Sequence, residues 1–415
     1  MRLHKTHSLG LDKQTIQTYI DTFFSYLYPT SFLGFLHRGL FLRAWHTHTL
    51  NPTLLKAVCA CTAQYTSDSF RASEWIQEVE IDVLQNMGDL STIRLQVMLL
   101  LIYYYGSRRS SKAWMLSALA VRLAFAKRFN YEQESMPETT RESQRRLMWS
   151  LFIVDRLYSG GLTEFTLCPR ETLHIRLPCN ERLFTLGIPS QSPKLHACDG
   201  QEHMGVLSCY IRLLDIRHDI LSYTKSVIMN DVKLWDSRLR LRDLEKRLSD
   251  FAVSLPIEMR WTSDNLMLRA YTPNLDRFIM LHTFWHQCHC DLYRLPIRGI
   301  KESISDQALA ETPRDYAMLL SDRCLDSAWD LVRLWTQILD LGLDNPIKDF
   351  SVSGCAYQCA KIVATTTYNG VSSLNAECMR PPDAVKICLK ILESIKSAHP
   401  VVGRVVSPRV HLCRR

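Results

Sequence analysis

The sequence is poor in glycine, with 15 residues in a chain of 415. That is roughly half of ordinary usage. Hairpin-rich β folds draw on glycine for their turns, so the shortage, beside many leucines, alanines and arginines, argues for helices over sheets. No CxxC pair exists among the 14 cysteines. A six-cysteine binuclear zinc cluster needs two such pairs, each followed after a short basic spacer by another cysteine. The nearest pairs here are Cys59/Cys61, Cys288/Cys290 and Cys355/Cys359, and no basic loop follows any of them. That cluster is therefore excluded from these residues. Residues 1–10 hold histidines and a lysine but no apolar h-region, so no signal peptide is expected. The longest apolar run, Leu95 to Tyr105, is shorter than the roughly 20 residues a membrane-spanning helix needs. Without a secretory signal, the cysteines read as reduced and mostly buried, and the protein is expected to be soluble and intracellular. Also missing are DDxxD, GxSxG, HExxH and a phosphate-binding glycine loop. Those gaps argue against a terpene-type synthase, which needs clustered aspartates for magnesium, and against the commoner enzyme classes.

Charge is present in quantity but not in concentration. Fifty basic and 42 acidic side chains give a net charge of +8, spread along the chain. Dispersed arginines on helices solvate a face. The dense basic stripe of a DNA-contacting element is absent.

What the chain does have is helical periodicity from about Asp12 to Lys396. Ile16, Tyr19, Ile20, Phe23 and Phe24 set a helix over 15–27 that Pro29 stops. An aromatic stretch follows (Phe32, Phe35, Phe41, Trp45), and Pro52 heads the next helix. Further helices are expected over 74–86, 91–105 and 112–129. In the last of these, Ala113, Ser117, Ala120 and Ala124 form a small-residue stripe that lets a neighbouring backbone approach closely.

The segment 141–158 is apolar on two faces, with Leu147, Leu151, Val154 and Tyr158 on one and Trp149, Phe152 and Ile153 on the other. A helix apolar all round is buried, so its charged members must have partners. Arg145, Trp149, Phe152 and Arg156 are read as sharing one face, with Asp155 pointing elsewhere. Residues 160–204, rich in proline, glycine and serine, are expected to form a long irregular loop crossing the surface between two helical halves. Helices resume over 207–223, 232–254, 275–294, 314–341, 349–368 and 383–397. The fold class is all-α, a large multi-helix bundle-like domain. Residues 1–14 form a short polar start, 15–398 the helical body (halves 15–159 and 205–398) and 399–415 an extended or irregular tail.

A metal site is one reading of His282, His286 and Cys290, spaced i, i+4 and i+8 along one helix face. No fourth ligand or carboxylate base accompanies them, so packing is the preferred reading.

Three stretches together resemble the fungal-specific transcription factor domain, the regulatory region that follows the zinc cluster in many fungal activators. The first runs from Tyr19 to Trp45, with Phe23-Phe24, Tyr28-Pro29, Phe35-Leu36-His37 and Phe41-Leu42. The second joins Leu95-Gln96 and Leu99–Leu101 to Ala113-Trp114, Ala120–Ala126, and Arg145-Arg146-Leu147-Met148-Trp149 with Asp155-Arg156. The third comprises Trp235, Leu244, Leu248, Leu255-Pro256, Asn265-Leu266 and the run His286–Arg294. Two departures stand out. Gly160-Gly161 replaces the family's glycine–proline turn after the Asp-Arg pair, and only about eighteen cysteine-free residues precede the first motif.

The resemblance implies a non-enzymatic transcription regulator in the nucleus, controlling a metabolic or secondary-metabolite gene set. It implies no cofactor in this chain, with zinc entering only through a cluster upstream. The implied partners are other transcription factors or coactivators, a second copy as a homodimer, or a small-molecule effector, with DNA reached only indirectly and no membrane. A co-regulator that works through a complete factor is the first alternative, and an all-helical enzyme the second. Arg145, Arg146, Trp149, Asp155 and Arg156 then carry one of two roles: locking neighbouring helices together, or lining a pocket that senses a ligand.

Overall fold

The computed structural model describes residues 9–30, 32–65, 69–197, 203–229, 231–368 and 380–398. Among these residues the secondary structure is helical, with no sheet and one isolated bridge between Cys179 and Met204. The tail from residue 399 onward lies outside the described residues.

The chain divides into two compact units, one from Met1–Tyr158 with Leu167–Ser208, the other from Ser159–Thr166 with Cys209–Arg415. The first unit holds α1 (Lys13–Thr22), α2 (Arg38–His46), α3 (Pro52–Ala63), α4 (Ser69–Gln85), α5 (Thr92–Gly106), α6 (Ser111–Ala126), α7 (Glu138–Ser159, of which Ser159 belongs to the other unit) and α8 (Glu181–Leu186). Local chemistry sets the helix starts. The side chains of Asp12, His37, Asn51, Ser91 and Asn180 each accept a hydrogen bond from the backbone N–H three residues on, and Pro52 occupies the first turn of α3. The helix expected over 15–27 is broken in character. α1 ends at Thr22 and a π turn covers Phe23–Leu27, closed by Tyr28 N donating to Phe23 O at 2.8 Å. The wider turn places Phe23, Phe24 and Leu27 in the core together.

At the centre of this unit, α5 is buried on every side from Leu95 through Gly106, apart from Gln96. It packs on α6 and α3. The small-residue stripe of α6 (Ala113, Ser117, Ala120, Ala124) is buried, as close helix–helix approach requires.

The second unit contains α9 (Val206–Ile228, from Cys209), α10 (Arg238–Ser254), α11 (Ser263–Arg269), α12 (Leu275–Tyr293), α13 (Asp306–Ala310), α14 (Arg314–Asp340), α15 (Val352–Tyr368) and α16 (Pro381–Ala398). Packing of α12, α14, α15 and α16 on one another forms its core. Helix α10 starts six residues later than its apolar pattern suggests, because 231–237 form turns in which Ser237 Oγ donates to Lys233 O.

The long irregular stretch expected at 160–204 is found among the described residues, but its course over the surface is corrected. Within it Cys168, Ile175, Leu177, Cys179 and Phe184 are buried. Two short 3-10 turns, Thr163–Phe165 and Arg170–Thr172, and α8 give it structure. Leu177 N donates to Pro193 O and Asn180 N to His203 O, each at 2.8 Å. Prolines hold the backbone extended while these apolar side chains, all between 168 and 184, are buried in the first unit without helical periodicity to announce them.

Candidate functional site

Helix α7 carries the charged motif. Arg146 is fully buried, and its guanidinium is bonded on every side. Nε donates to Glu142 Oε1 at 2.8 Å, Nη1 to both oxygens of Glu181 at 3.1 and 3.0 Å and to Gly34 O at 3.2 Å, and Nη2 to Cys179 O at 2.7 Å. Its Cζ also lies 4.1 Å from the centre of the Phe184 ring. Its neighbour Arg145 grips Glu132 with Nε and Nη2 at 3.0 and 2.9 Å and pairs with Glu142 through Nη1.

The acids in turn hold main chain. Glu142 Oε1 accepts from Cys179 N at 3.0 Å and Glu132 Oε1 from Arg176 N at 2.8 Å. Trp149 Nε1 donates to Arg176 O at 2.7 Å. Burial pushes the Glu132 carboxyl up, but Arg145 and the Arg176 N–H outweigh it and hold the group below its ordinary range.

At the end of the same helix, Asp155 does not point away from Arg156. Arg156 Nη1 donates to Asp155 Oδ2 at 2.8 Å, and Nη2 to Cys168 O at 3.1 Å. Asp155 accepts from Leu167 N at 2.8 Å and Cys168 N at 3.1 Å. Adjacent helical residues diverge at Cα, but arginine's length lets its head group fold back over its neighbour. The Arg156 Cζ sits 4.2 Å from the Phe152 ring centre, which itself meets Trp149 edge-on. Burial pushes the Asp155 carboxyl up despite these partners.

The structure thus brings together all five motif residues on one helix and joins them to the segment 167–181. It adds Glu132, Glu142 and Glu181, which sequence reasoning missed. Chemically, the assembly is a set of closed ion pairs. Their oxygens and N–H groups are taken up by one another and by backbone, except Arg156 Nε, which is buried without a hydrogen-bond partner among the described residues.

In the second unit, His282, His286 and Cys290 lie along α12, and each has its own surroundings. His282 is 2.9 Å from Met259 O through Nε2 and sits edge-on to Trp261 and Phe278. Burial pushes His282 down to about 4 and His286 to about 3, so both imidazoles are neutral at physiological pH. Cys290 faces Cys324, whose Sγ donates to Cys290 O at 3.7 Å. Among the described residues no group of three or more His, Cys, Asp or Glu could hold a metal ion.

A second polar row, along α12 and its C-cap residue Arg294, escaped the sequence reading. Asp276, Thr283, Gln287, Asp291 and Arg294, at i, i+7, i+11, i+15 and i+18, are all buried. Gln287 Nε2 donates to Asp291 Oδ1 at 2.9 Å and to Gln358 Oε1 of α15 at 2.5 Å. Asp291 pairs with Arg294 at 2.7 Å and with Arg217 of α9 at 3.2 Å. Asp276 is held by main chain instead. Its Oδ1 accepts from Lys348 N at 2.6 Å and Asp349 N at 3.3 Å, and Oδ2 is buried without a hydrogen-bond partner among the described residues. Burial, with the Asp349 carboxylate adding to it, pushes Asp276 up to about 7.

Against known families, residues 20–251 match the model of the fungal specific transcription factor domain, which is more than half of the chain. The chain belongs to that family. Relatives of the fungal transcription factor domain family include the Zn(2)-C6 fungal-type transcription factor FTF1c of Fusarium oxysporum f. sp. lycopersici, 24% identical over 66% of this chain and 33% of its own length. The fungal-type factor FTF1a of the same organism is 25% identical over 66% of this chain and 29% of its own. An uncharacterized transcriptional regulatory protein of Schizosaccharomyces pombe is 24% identical over 66% of this chain and 37% of its own. The chain spans about a third of the length of these curated relatives. No solved structure matches.

Within this fungal transcription factor domain, the Arg145–Arg156 network falls inside the residues the family model matches, while the histidines of α12 fall beyond them. The zinc cluster associated with such factors does not fit the described cysteines. Cys59, Cys61, Cys168, Cys179, Cys209, Cys288, Cys290, Cys324, Cys355, Cys359 and Cys388 are free and buried. Burial pushes Cys61, Cys179, Cys209 and Cys355 up to about 12, far from the thiolate that metal binding requires.

Proposed function

We propose that this chain is the regulatory portion of a zinc-cluster-type transcription regulator acting in the nucleus, with DNA contacted by a part or partner other than these helices. The observation that carries the reading is the family match over 20–251 on a helical body whose described cysteines are buried thiols. The closed ion-pair network of α7 supports a locking role for its motif residues, since each buried charge already has a partner of opposite sign. Its targets, on the family resemblance, are metabolic genes of nutrient use or secondary metabolism. Its partners are other transcription factors, coactivators or a second copy, and its cofactor requirement is nil apart from zinc bound elsewhere. It has no catalytic role.

The test is a reporter assay in which the chain is fused to a heterologous DNA-binding domain. The fusion changes reporter output severalfold relative to the DNA-binding domain alone, and the purified chain gives no sequence-specific DNA complex. An inert fusion at normal protein level, or specific DNA binding by the chain itself, would overturn the reading. Transcript profiling of a deletion strain then names the gene set. The sequence immediately upstream of Met1 separates a factor with its own cysteine cluster from a co-regulator that borrows one.

A further inference from the structure

A cleft of about 520 Å³ opens in the second unit between the end of α9, the turns before α10, and α13. Its volume falls within the range of small-molecule sites. The floor is apolar, formed by Val227, Leu234 and Ile304, all buried, with the half-exposed Trp235 at one edge. Its charged lining is one cation, Lys233, and two acids, Glu311 and Asp236; Lys233 and Glu311 are paired at 3.0 Å and both are exposed. An exposed pair of this kind is held weakly, so exchanging its partners costs little.

We propose that this cleft binds a small zwitterion with an apolar side chain, of the α-amino acid class. The ligand's carboxylate pairs with Lys233 Nζ, its ammonium with Glu311, and its side chain lies on Val227, Leu234 and Ile304. The match is one of spacing and sign. An α-amino acid carries its two charges on groups joined through one carbon, and the cleft offers the complementary two side by side above an apolar surface. A plain carboxylate meets Lys233 and the repulsion of Glu311 and Asp236, and a plain amine leaves Lys233 facing it without a partner, so pairing both ends of one ligand supplies selectivity. The inference deepens the regulatory reading by naming an effector class, but its test reads binding alone.

The experiment is titration calorimetry on the full chain with L-leucine, L-phenylalanine and L-methionine as probes. Each is compared with its N-acetyl derivative and its decarboxylated amine. At least one amino acid binds with a Kd below about 1 mM, and both single-charge analogues bind at least about tenfold more weakly. Ala308→Trp, which fills the cleft from its half-buried wall, and the charge reversal Lys233→Glu each abolish the heat while leaving the melting temperature within a few degrees. Restoration of binding by Lys233→Glu combined with Glu311→Lys completes the case. The proposal is overturned if none of the probes binds, if the single-charge analogues bind equally well, or if binding survives Ala308→Trp. Binding with an inert reporter fusion would sink the regulatory reading and leave the site standing. A working fusion with no heat would do the reverse.

Discussion

Arg146 reaches 2.7 Å from the carbonyl oxygen of Cys179, thirty-three residues away in sequence, while Cys179's own N–H is held by Glu142 on the same helix as the arginine. Two charged side chains one helical turn apart thus take both main-chain polar groups of a single residue. Removing either charge leaves the other short of a counter-ion in a dry interior, with only Arg145 remaining for Glu142 or Glu181 for Arg146. Arg146→Met should cost about 3–5 kcal/mol, because Glu142 and Glu181 keep their charges and lose a shared counter-ion. Arg38→Ala, at an ion pair with Asp21 that is about half exposed on both sides, should cost at most about 1 kcal/mol. Urea denaturation of the two purified variants checks the contrast. Equal effects would mean that burial is not what gives the Arg146 network its weight.

The Asp155–Arg156 pair makes a second, local prediction. Asp155→Ala deprives Leu167 N and Cys168 N of their acceptor and leaves Arg156 buried without its anion. A loss of about 3–5 kcal/mol is expected, together with new protease cleavage between 163 and 172. Asp155→Asn, which keeps an acceptor but not the charge, should fall between. Limited proteolysis with the melting temperature of each variant tests this; an Asp155→Ala protein that melts and digests like the parent would show that the segment is held by other means.

These networks also mark how far the sequence could be read. That α7 is buried and that its charges are paired followed from two apolar faces around Arg145, Arg146, Asp155 and Arg156, because a 3.6-residue period reports burial directly. Where those charges go did not follow. Several of their partners are backbone groups of Gly34, Leu167, Cys168 and Cys179, and a main-chain N–H or C=O leaves no mark in residue identity. For the same reason 160–204 reads as a surface loop, whereas Cys168, Ile175, Leu177, Cys179 and Phe184 within it are buried. The late start of α10 has another cause: Leu234 and Trp235 fall on the helical period, but turns from 231 to 237 precede the helix proper. His282, His286 and Cys290 were legible as a row. Their separate surroundings, Met259 O, Trp285 and Cys324, depend on tertiary contacts that spacing does not encode.

Asp276 predicts an unusual pH response. Its carboxyl is pushed up to about 7 when folded, against an ordinary value of 3.8. Between those values the folded protein holds a proton that the unfolded chain has released, so this group's contribution to stability falls as pH rises, by about 1.4 kcal/mol per unit, and levels off above about 7. Asp276→Asn removes the titration. The variant should have a flatter stability curve between pH 5 and 7 and should gain on the parent at pH 8. Urea midpoints at pH 5, 6, 7 and 8 decide it; parallel curves would refute the assignment.

Gly161 supplies a backbone test. It has φ +86°, and a Cβ placed there would come within 2.5 Å of the main chain of Leu221. Both the left-handed conformation and the close approach require glycine. Gly161→Ala should destabilise the protein by roughly 1–3 kcal/mol. Gly88→Ala, with nothing within 4 Å, should be close to neutral. Thermal melts of the pair test this, and a neutral Gly161→Ala would mean that α9 moves freely to accommodate it.

The way α7 holds 167–179 has one further consequence. The donors and acceptors it uses at Leu167, Cys168, Arg176 and Cys179 are amide groups, common to nearly every amino acid. Spelling at the exposed positions of that stretch can drift while its attachment to the helix persists, provided proline stays out of the places that must donate and the buried sites of Cys168, Ile175, Leu177 and Cys179 stay filled by apolar side chains.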